Sequence, residues 1–279
     1  MIQTILIPVD GSPNSGIALD YGLYIAPKFG ASLRGLHVLD IYLIQGPMMT
    51  DVTATVGMPP YDGYLDAVEA SLKEKAAGVL ASFAERCRRA GVACETRKNI
   101  GKISDTIIEE AETADLICMA KKGEHFHLKE GGLIGSVAEV VIRRSGKPVM
   151  VIPETFREIE SMGLAYDGSA PAKKALDLSL RLSEQAKWPI TVLIVSADAA
   201  RAAALCAEVE EKAQEGTADC EVILSSGKET DEILKFIAEG AVELMVMGAY
   251  GHNRLREWLL GSTTSHILSR SPLPVLLIR

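Results

Sequence analysis

The chain lacks any local excess of positive charge. Its formal net charge is −8 over 279 residues, and short basic groups such as Arg86, Arg88 and Arg89 fall on a pattern that reads as a solvated helix face. Binding nucleic acid by phosphate neutralisation needs clustered Lys and Arg, so a general nucleic-acid partner is excluded. Nowhere does an apolar run reach the about 18 residues needed to span a membrane. The start, MIQTILIPVDG, has neither the basic residues nor the long apolar stretch of a secretion signal. Five cysteines (Cys87, Cys94, Cys118, Cys206 and Cys220) are odd in number and form no C-x-x-C pair. They read as buried or idle thiols in a reducing compartment, so a cytoplasmic location is expected.

Catalytic signatures are missing as well. There is no G-x4-G-K-[ST], no G-x-G-x-x-G, no G-x-S-x-G elbow and no H-E-x-x-H. A binding protein, or at most a slow ATPase, fits better than an efficient enzyme. With 48% apolar and 24% charged residues, the composition is that of a globular chain with a proper core.

What the chain does contain is a repeat. Ile2–Ser12 (IQTILIPVDGS) and Ser161–Ser169 (SMGLAYDGS) are apolar strands that stop at Asp-Gly-Ser and lead into helical patterns. SLRGLHVLD (Ser32–Asp40) and ITVLIVSAD (Ile190–Asp198) are second strands ending in Asp. VACETRKNIGK and CEVILSSGK are third strands closed by Gly-Lys, and ADLICMA and VELMVMG are apolar fourth strands. GSVAEVVIRRSGKPVMVIP then aligns with GSTTSHILSRSPLPVLLIR without a gap. Each copy reads β-α-β-α-β-α-β-α-β. Continuous apolar strands alternating with helices predict an α/β fold of two repeated, doubly wound, parallel five-stranded sheets. The expected domains are 1–153 and 160–279, joined by TFREIESM, with a Gly/Pro/Met-rich insertion at about 41–65 that reads as a loop or lid.

In the second copy the residues after the fourth strand place Gly248, Gly251 and Gly261-Ser262 in the order G-x2-G-x9-G-S. Ligands of open α/β sheets sit at the carboxyl ends of the strands. Glycines there let backbone approach an anion, and a helix beginning at Gly261-Ser262 offers free N–H groups and a positive dipole end to a phosphate. Ser262, Thr263 and Thr264 add hydroxyls that cap the helix or bond phosphate oxygens.

On the V-D-G-S start (Val9 to Ser12), its echo Y-D-G-S, and the Met-Gly-x-x-Gly-x9-Gly-Ser run from Met247 to Ser262, the chain resembles the universal stress protein family in its tandem form. The resemblance covers essentially everything outside 41–65. It implies a Rossmann-like, adenine nucleotide alpha hydrolase-like fold that binds ATP, or ADP or AMP after slow turnover, with Mg as an accompanying cation, as a stress-response regulatory module. Asp167 would lie beside adenine and ribose, the backbone of Ser196 would meet the base, and Gly248, Gly251, Gly261, Ser262, Thr263 and Thr264 would hold the phosphates. It further implies pairing of the two copies through their last strands, Pro148–Ile152 and Pro274–Ile278. Such pairing covers otherwise sticky edges and is compatible with further homodimerisation and with an unnamed protein partner.

The first copy departs from this pattern. Asp10, Val38, Gly123, Gly135 and Ser136 are the counterparts, but Ala120 replaces the first glycine, eleven residues rather than nine separate Gly123 from Gly135, and Ala138 replaces the last hydroxyl. Lys121 and Lys122 are available to add charge. The first copy therefore reads as a divergent site that has lost or altered its ligand. His125 and His127 read as loop histidines rather than a metal pair, and His37 as a hydrogen-bonded core histidine. Two rivals stand beside the regulatory reading: an ATP-hydrolysing or adenylyl-transferring enzyme of the same superfamily, and an interaction scaffold with both sites empty.

Overall fold

The computed structural model describes residues 2–42, 64–123, 134–240, 242–249 and 261–279. The first half runs β1 (Thr4–Pro8), α1 (Pro13–Phe29), β2 (Ser32–Asp40), α2 (Tyr64–Ala90), β3 (Cys94–Gly101), α3 (Ile103–Ala111), β4 (Leu116–Ala120), α4 (Ser136–Arg144) and β5 (Val149–Ile152). The second half repeats the series as β6 (Met162–Ala165), α5 (Ala170–Ala186), β7 (Ile190–Val195), α6 (Ala199–Gln214), β8 (Cys220–Ser225), α7 (Glu229–Ala238), β9 (Leu244–Gly248), α8 (Ser262–Arg270) and β10 (Val275–Ile278). Residues 43–63, most of the insertion, lie outside the described residues.

The two five-stranded sheets join into one of ten strands, in the order β3-β2-β1-β4-β5-β10-β9-β6-β7-β8. Every pairing is parallel except β5–β10, which is antiparallel with Val151 opposite Val275, Met150 opposite Leu276 and Val149 opposite Leu277. In the repeat alignment Met150 corresponds to Leu276. The register therefore centres a pseudo-twofold axis on that pair, as a self-complementary interface requires. All residues of β5 and β10 are buried. Pairing through the last strands, expected from the resemblance, is what the chain does internally.

Strands apolar on both faces need cover on both faces. One apolar layer unites Ile5, Ile7, Phe83, Ile152, Leu164, Val246 and Leu276, and the other unites Leu6, Ile107, Val151, Phe236, Met247 and Val275. Each layer crosses the seam, so the core is shared by the halves. The connector is ordered into it. Ile159 is fully buried, Tyr24 donates its hydroxyl to the Ile159 carbonyl (2.8 Å), and Phe156 stacks edge-on against Tyr21 at 4.8 Å. Across the seam Phe29 and Trp188 meet edge to face at 5.7 Å, and the Gln185 amide donates to the Phe29 carbonyl (3.1 Å).

Within each half the order 3-2-1-4-5 puts a topological switch point between β1 and β4, and between β6 and β9. Loops diverge there and leave a crevice at the carboxyl ends of the strands.

Candidate functional site

Both Asp-Gly-Ser segments build the same turn. The Asp10 carboxylate accepts the Ser12 amide (2.9 Å), and the Asp167 carboxylate accepts the Ser169 amide (2.9 Å). Gly11 and Gly168 have φ of +87° and +75°, where an L side chain is strained. Each serine then caps its helix. Ser12 Oγ accepts Ser15 N–H (3.2 Å), and Ser169 Oγ accepts Ala172 N–H (3.3 Å). The aspartates are thus pinned at the crevice by a local turn.

The helices after β4 and β9 begin differently. Their N-cap residues are Gly135 and Gly261, which carry no side chain to cap the free N–H groups. The two glycines are not equivalent. A Cβ on Gly135 would lie 3.2 Å from the Lys121 carbonyl oxygen, so packing requires a small residue there. A Cβ on Gly261 would meet only Thr264 Oγ1, at 3.7 Å, and its φ of −53° is open to any residue. Neither strain nor crowding among the described residues explains Gly261. Ser262 is exposed, Thr263 half-buried and Thr264 buried in the first turn of α8.

Gly248 has a packing reason of its own. A Cβ there would stand 2.9 Å from the Ala172 nitrogen and 2.9 Å from Pro171 Cβ, because the first turn of α5 crosses the end of β9. Gly251, His125, His127 and His252 lie outside the described residues. Ser196 N–H is taken by the Ser225 carbonyl (2.9 Å), and the Ser196 hydroxyl turns the chain into Asp198, the N-cap of α6. That turn brings in a residue the motifs did not reveal. Arg201 Nη2 donates to the Asp167 carbonyl (3.3 Å), so a guanidinium stands beside the strand-end aspartate. The signal available in the sequence was an Arg in the first turn after the second strand's terminal Asp, at the ligand end of the sheet.

In the first half Asp10, Val38, Ala120 and Gly123 surround one cavity of about 200 Å³, together with His37, Asp40 and, from α2, Leu72 and Lys75. A Cβ on Gly123 would lie 3.0 Å from Asp10 Oδ2, so a side chain there would press on the aspartate. Gly135 closes the loop by donating its amide to the Lys121 carbonyl (2.9 Å), and Ser136 is exposed one residue on. Lys121 and Lys122, the lysines expected to add charge, each hold a partner. Lys121 Nζ donates to the Ser269 carbonyl of the other half (2.7 Å), and Lys122 Nζ pairs with Glu154 (2.7 Å). His37 Nδ1 lies 2.7 Å from the Val9 carbonyl, a hydrogen-bonded core histidine.

The described cysteines are all free. Burial pushes the Cys87 thiol up to about 12 and the Cys220 thiol up to about 11, which keeps both protonated and unreactive at neutral pH. Among the described residues no group of three or more His, Cys, Asp or Glu could hold a metal ion. Among them, too, no helix is long and apolar enough to cross a membrane.

Doubly wound halves with a crevice at the switch point define a Rossmann-like α/β protein. The sequence model of the universal stress protein family matches residues 1–153 and 195–279. A universal stress protein of Synechocystis is 28% identical over 288 residues, spanning 100% of both chains. One from Methanocaldococcus jannaschii is 31% identical over 160 residues, covering 57% of this chain and 86% of its own. The crystal structure of a universal stress protein from Archaeoglobus fulgidus has the same fold, with a TM-score of 0.77 at 24% identity over 99% of this chain and 96% of that one. The chain belongs to the universal stress protein family.

Proposed function

We propose that the second half, residues 160–279, binds ATP or a related adenine nucleotide, and that its occupancy acts as the signal of a cytoplasmic stress-response module. One observation carries this reading: Gly261 opens α8 with no conformational or packing need for glycine among the described residues. A helix start whose N-cap residue carries no side chain suits a phosphate. Asp167 and Arg201 stand at the neighbouring strand end, where a ribose and base would lie, and Ser262 and Thr263 offer hydroxyls beside the phosphates. The first half is the divergent partner, and the family's regulatory role supports binding rather than turnover as the output.

The test is nucleotide released from the purified chain by denaturation, together with the melting temperature in ATP with and without Mg2+. ATP should raise the melting temperature, and Gly261→Val should remove that rise while the circular dichroism stays native. A shift that survives Gly261→Val would place the ligand elsewhere. No released nucleotide and no shift in the native chain would end the reading.

A further inference from the structure

The second half leaves open a groove whose counterpart in the first half is bridged by an arginine. We infer that this groove, between α5 and α6, binds a linear aliphatic polyamine. Tyr166, Lys173, Leu176, Asp177, Glu208 and Glu211 line about 290 Å³ of it, with Lys212 and Glu215. A further about 200 Å³ continues from Asp177, Lys212 and Glu215 over Leu180 and Ala213. The groove shares no residue with the proposed nucleotide site.

The repeat shows what has changed. Aligned without a gap, Asp177 is the counterpart of Asp20, Lys173 of Gly16 and Lys212 of Arg86. Arg86 donates from Nη1 to the Gly16 carbonyl (3.2 Å) and from Nη2 to the Asp20 carboxylate, so its guanidinium ties α2 to α1. A lysine has no such fork. Lys212 stands 3.7 Å from Asp177 and turns instead to Glu215, 2.6 Å away on its own helix. The acids differ as well. Ser82, Glu85 and Arg89 on α2 correspond to Glu208, Glu211 and Glu215 on α6. Glu85 is held by Arg88 and Arg89, whereas Glu211 makes no ion pair among the described residues.

The groove also holds an unsatisfied polar atom. Tyr166, which replaces Val9 of the first half, is 3% exposed, and its hydroxyl has no hydrogen-bond partner. Burial, then the nearby Glu208 carboxylate, raises the phenol above its ordinary range and keeps it protonated. Glu208 itself is outside hydrogen-bond geometry and is taken by Lys173 (2.6 Å). A buried hydroxyl in this state is costly until a ligand meets it. A primary ammonium can donate to the phenol oxygen and to the carboxylates around it. The acids are strung out rather than gathered: among the described residues no group of three or more His, Cys, Asp or Glu could hold a metal ion. Glu208 and Glu215 lie about 10 Å apart along α6. Alkyl spacers of roughly three or four carbons set successive ammonium groups about one helical turn apart, with their methylenes against Leu176 and Leu180. The lysines already in the groove are held only by exposed pairs, which a polycation can displace.

The experiment is calorimetric titration of the full chain with spermidine at low salt, where charges are least screened. Binding should saturate at one equivalent. Tyr166→Phe should weaken it about fivefold, the loss of one hydrogen bond. Lys212→Arg, which restores the first half's bridge, should remove it. Neither change alters the net charge. Glu211→Gln should weaken binding, whereas Glu239→Gln, at the end of α7, should leave it unchanged. Absence of saturable binding to the unmodified chain would overturn the inference. So would an affinity unchanged by Tyr166→Phe or by Lys212→Arg, or an equal loss from Glu211→Gln and Glu239→Gln, the mark of attraction to net charge alone. Mg2+ that saturates the chain and excludes spermidine would overturn it in favour of a metal site. The two glutamate variants, both on helix surfaces, keep the test decisive if a change at Tyr166 disturbs folding.

Discussion

Lys121 crosses from one half of the protein to the other and donates from its ammonium to the carbonyl of Ser269, 2.7 Å away in the last turn of α8. That helix begins at the proposed phosphate site, so a residue from the first half caps the far end of a helix in the second. Desolvation, followed by the neighbouring Lys122 charge, holds the Lys121 ammonium below the ordinary lysine range, as expected for a half-buried cation. Its counterpart in the repeat is Ala249, so the link runs in one direction only.

Removing this link should cost more than its neighbour. A charge-assisted hydrogen bond at a helix carboxyl end contributes about 1–2 kcal/mol, whereas an exposed ion pair contributes roughly 0–1 kcal/mol. Lys121→Met should therefore lower the unfolding free energy in urea by about 1–2 kcal/mol, and Lys122→Met, which breaks the Glu154 pair, by less. Equal losses would show that Lys121 is merely a surface cation.

The motif glycines should separate by mutation. Gly248→Ala drives a methyl against Pro171 and the Ala172 nitrogen, and overpacking of this kind costs about 1–3 kcal/mol. Among the described residues Gly261→Ala meets only ordinary contact with Thr264, and the lower rank of alanine at an N-cap keeps the cost under about 1 kcal/mol. Denaturant midpoints of the two variants check the ranking. A Gly248→Ala chain as stable as the parent would mean that α5 shifts freely.

Much of the architecture was legible because the repeat shows strands and helices twice, in register. The family resemblance placed the seam at the endings PVMVI and PVLLI, and D-G-S marked both strand-one turns. The differences among the glycines were not legible. Gly248 answers to Pro171 and Ala172, and Gly135 to the Lys121 carbonyl, while Gly261 answers to neither kind of neighbour among the described residues. Identical letters in a motif hide whether a neighbour distant in sequence needs the space. The partner of Lys121 is 148 residues away, and no local spacing points to a carbonyl that only the joined sheet brings near. Arg201 escaped for the same reason, since its contact with Asp167 depends on two strand ends lying side by side.

Stability should fall in acid through a site remote from the crevice. Arg34 is buried on β2, donates from Nε to Glu95, and from Nη1 to Thr113 Oγ1 (2.7 Å) and the Glu110 carbonyl (3.3 Å). The hydrogen bond from Arg34, offset in part by desolvation, holds the Glu95 carboxyl below its ordinary 4.5. A depressed folded-state value means the contribution is present above pH 4.5 and is lost as pH falls below it, through the folded value. Half the Glu95 side chain is exposed, so salt should weaken the effect. Glu95→Gln should flatten part of the decline in a pH series of urea midpoints, and an unchanged slope would rule out this pair as its source.

The two halves should unfold together. Met150 and Leu276 face each other on the pseudo-twofold axis and are 2% exposed each, and both apolar layers run through the seam. Opening the seam would expose both last strands and strip Ile159 and the ordered connector from α1. Leu276→Ala should cost about 2–4 kcal/mol, as a core truncation does. Because the layers are continuous, the loss should appear on both sides of the axis. Amide exchange should quicken in β1 as well as in β6, though the substitution touches only the second half's last strand. Faster exchange confined to β6, β9 and β10 would mean that the halves are separate cooperative units that merely share a ladder of hydrogen bonds.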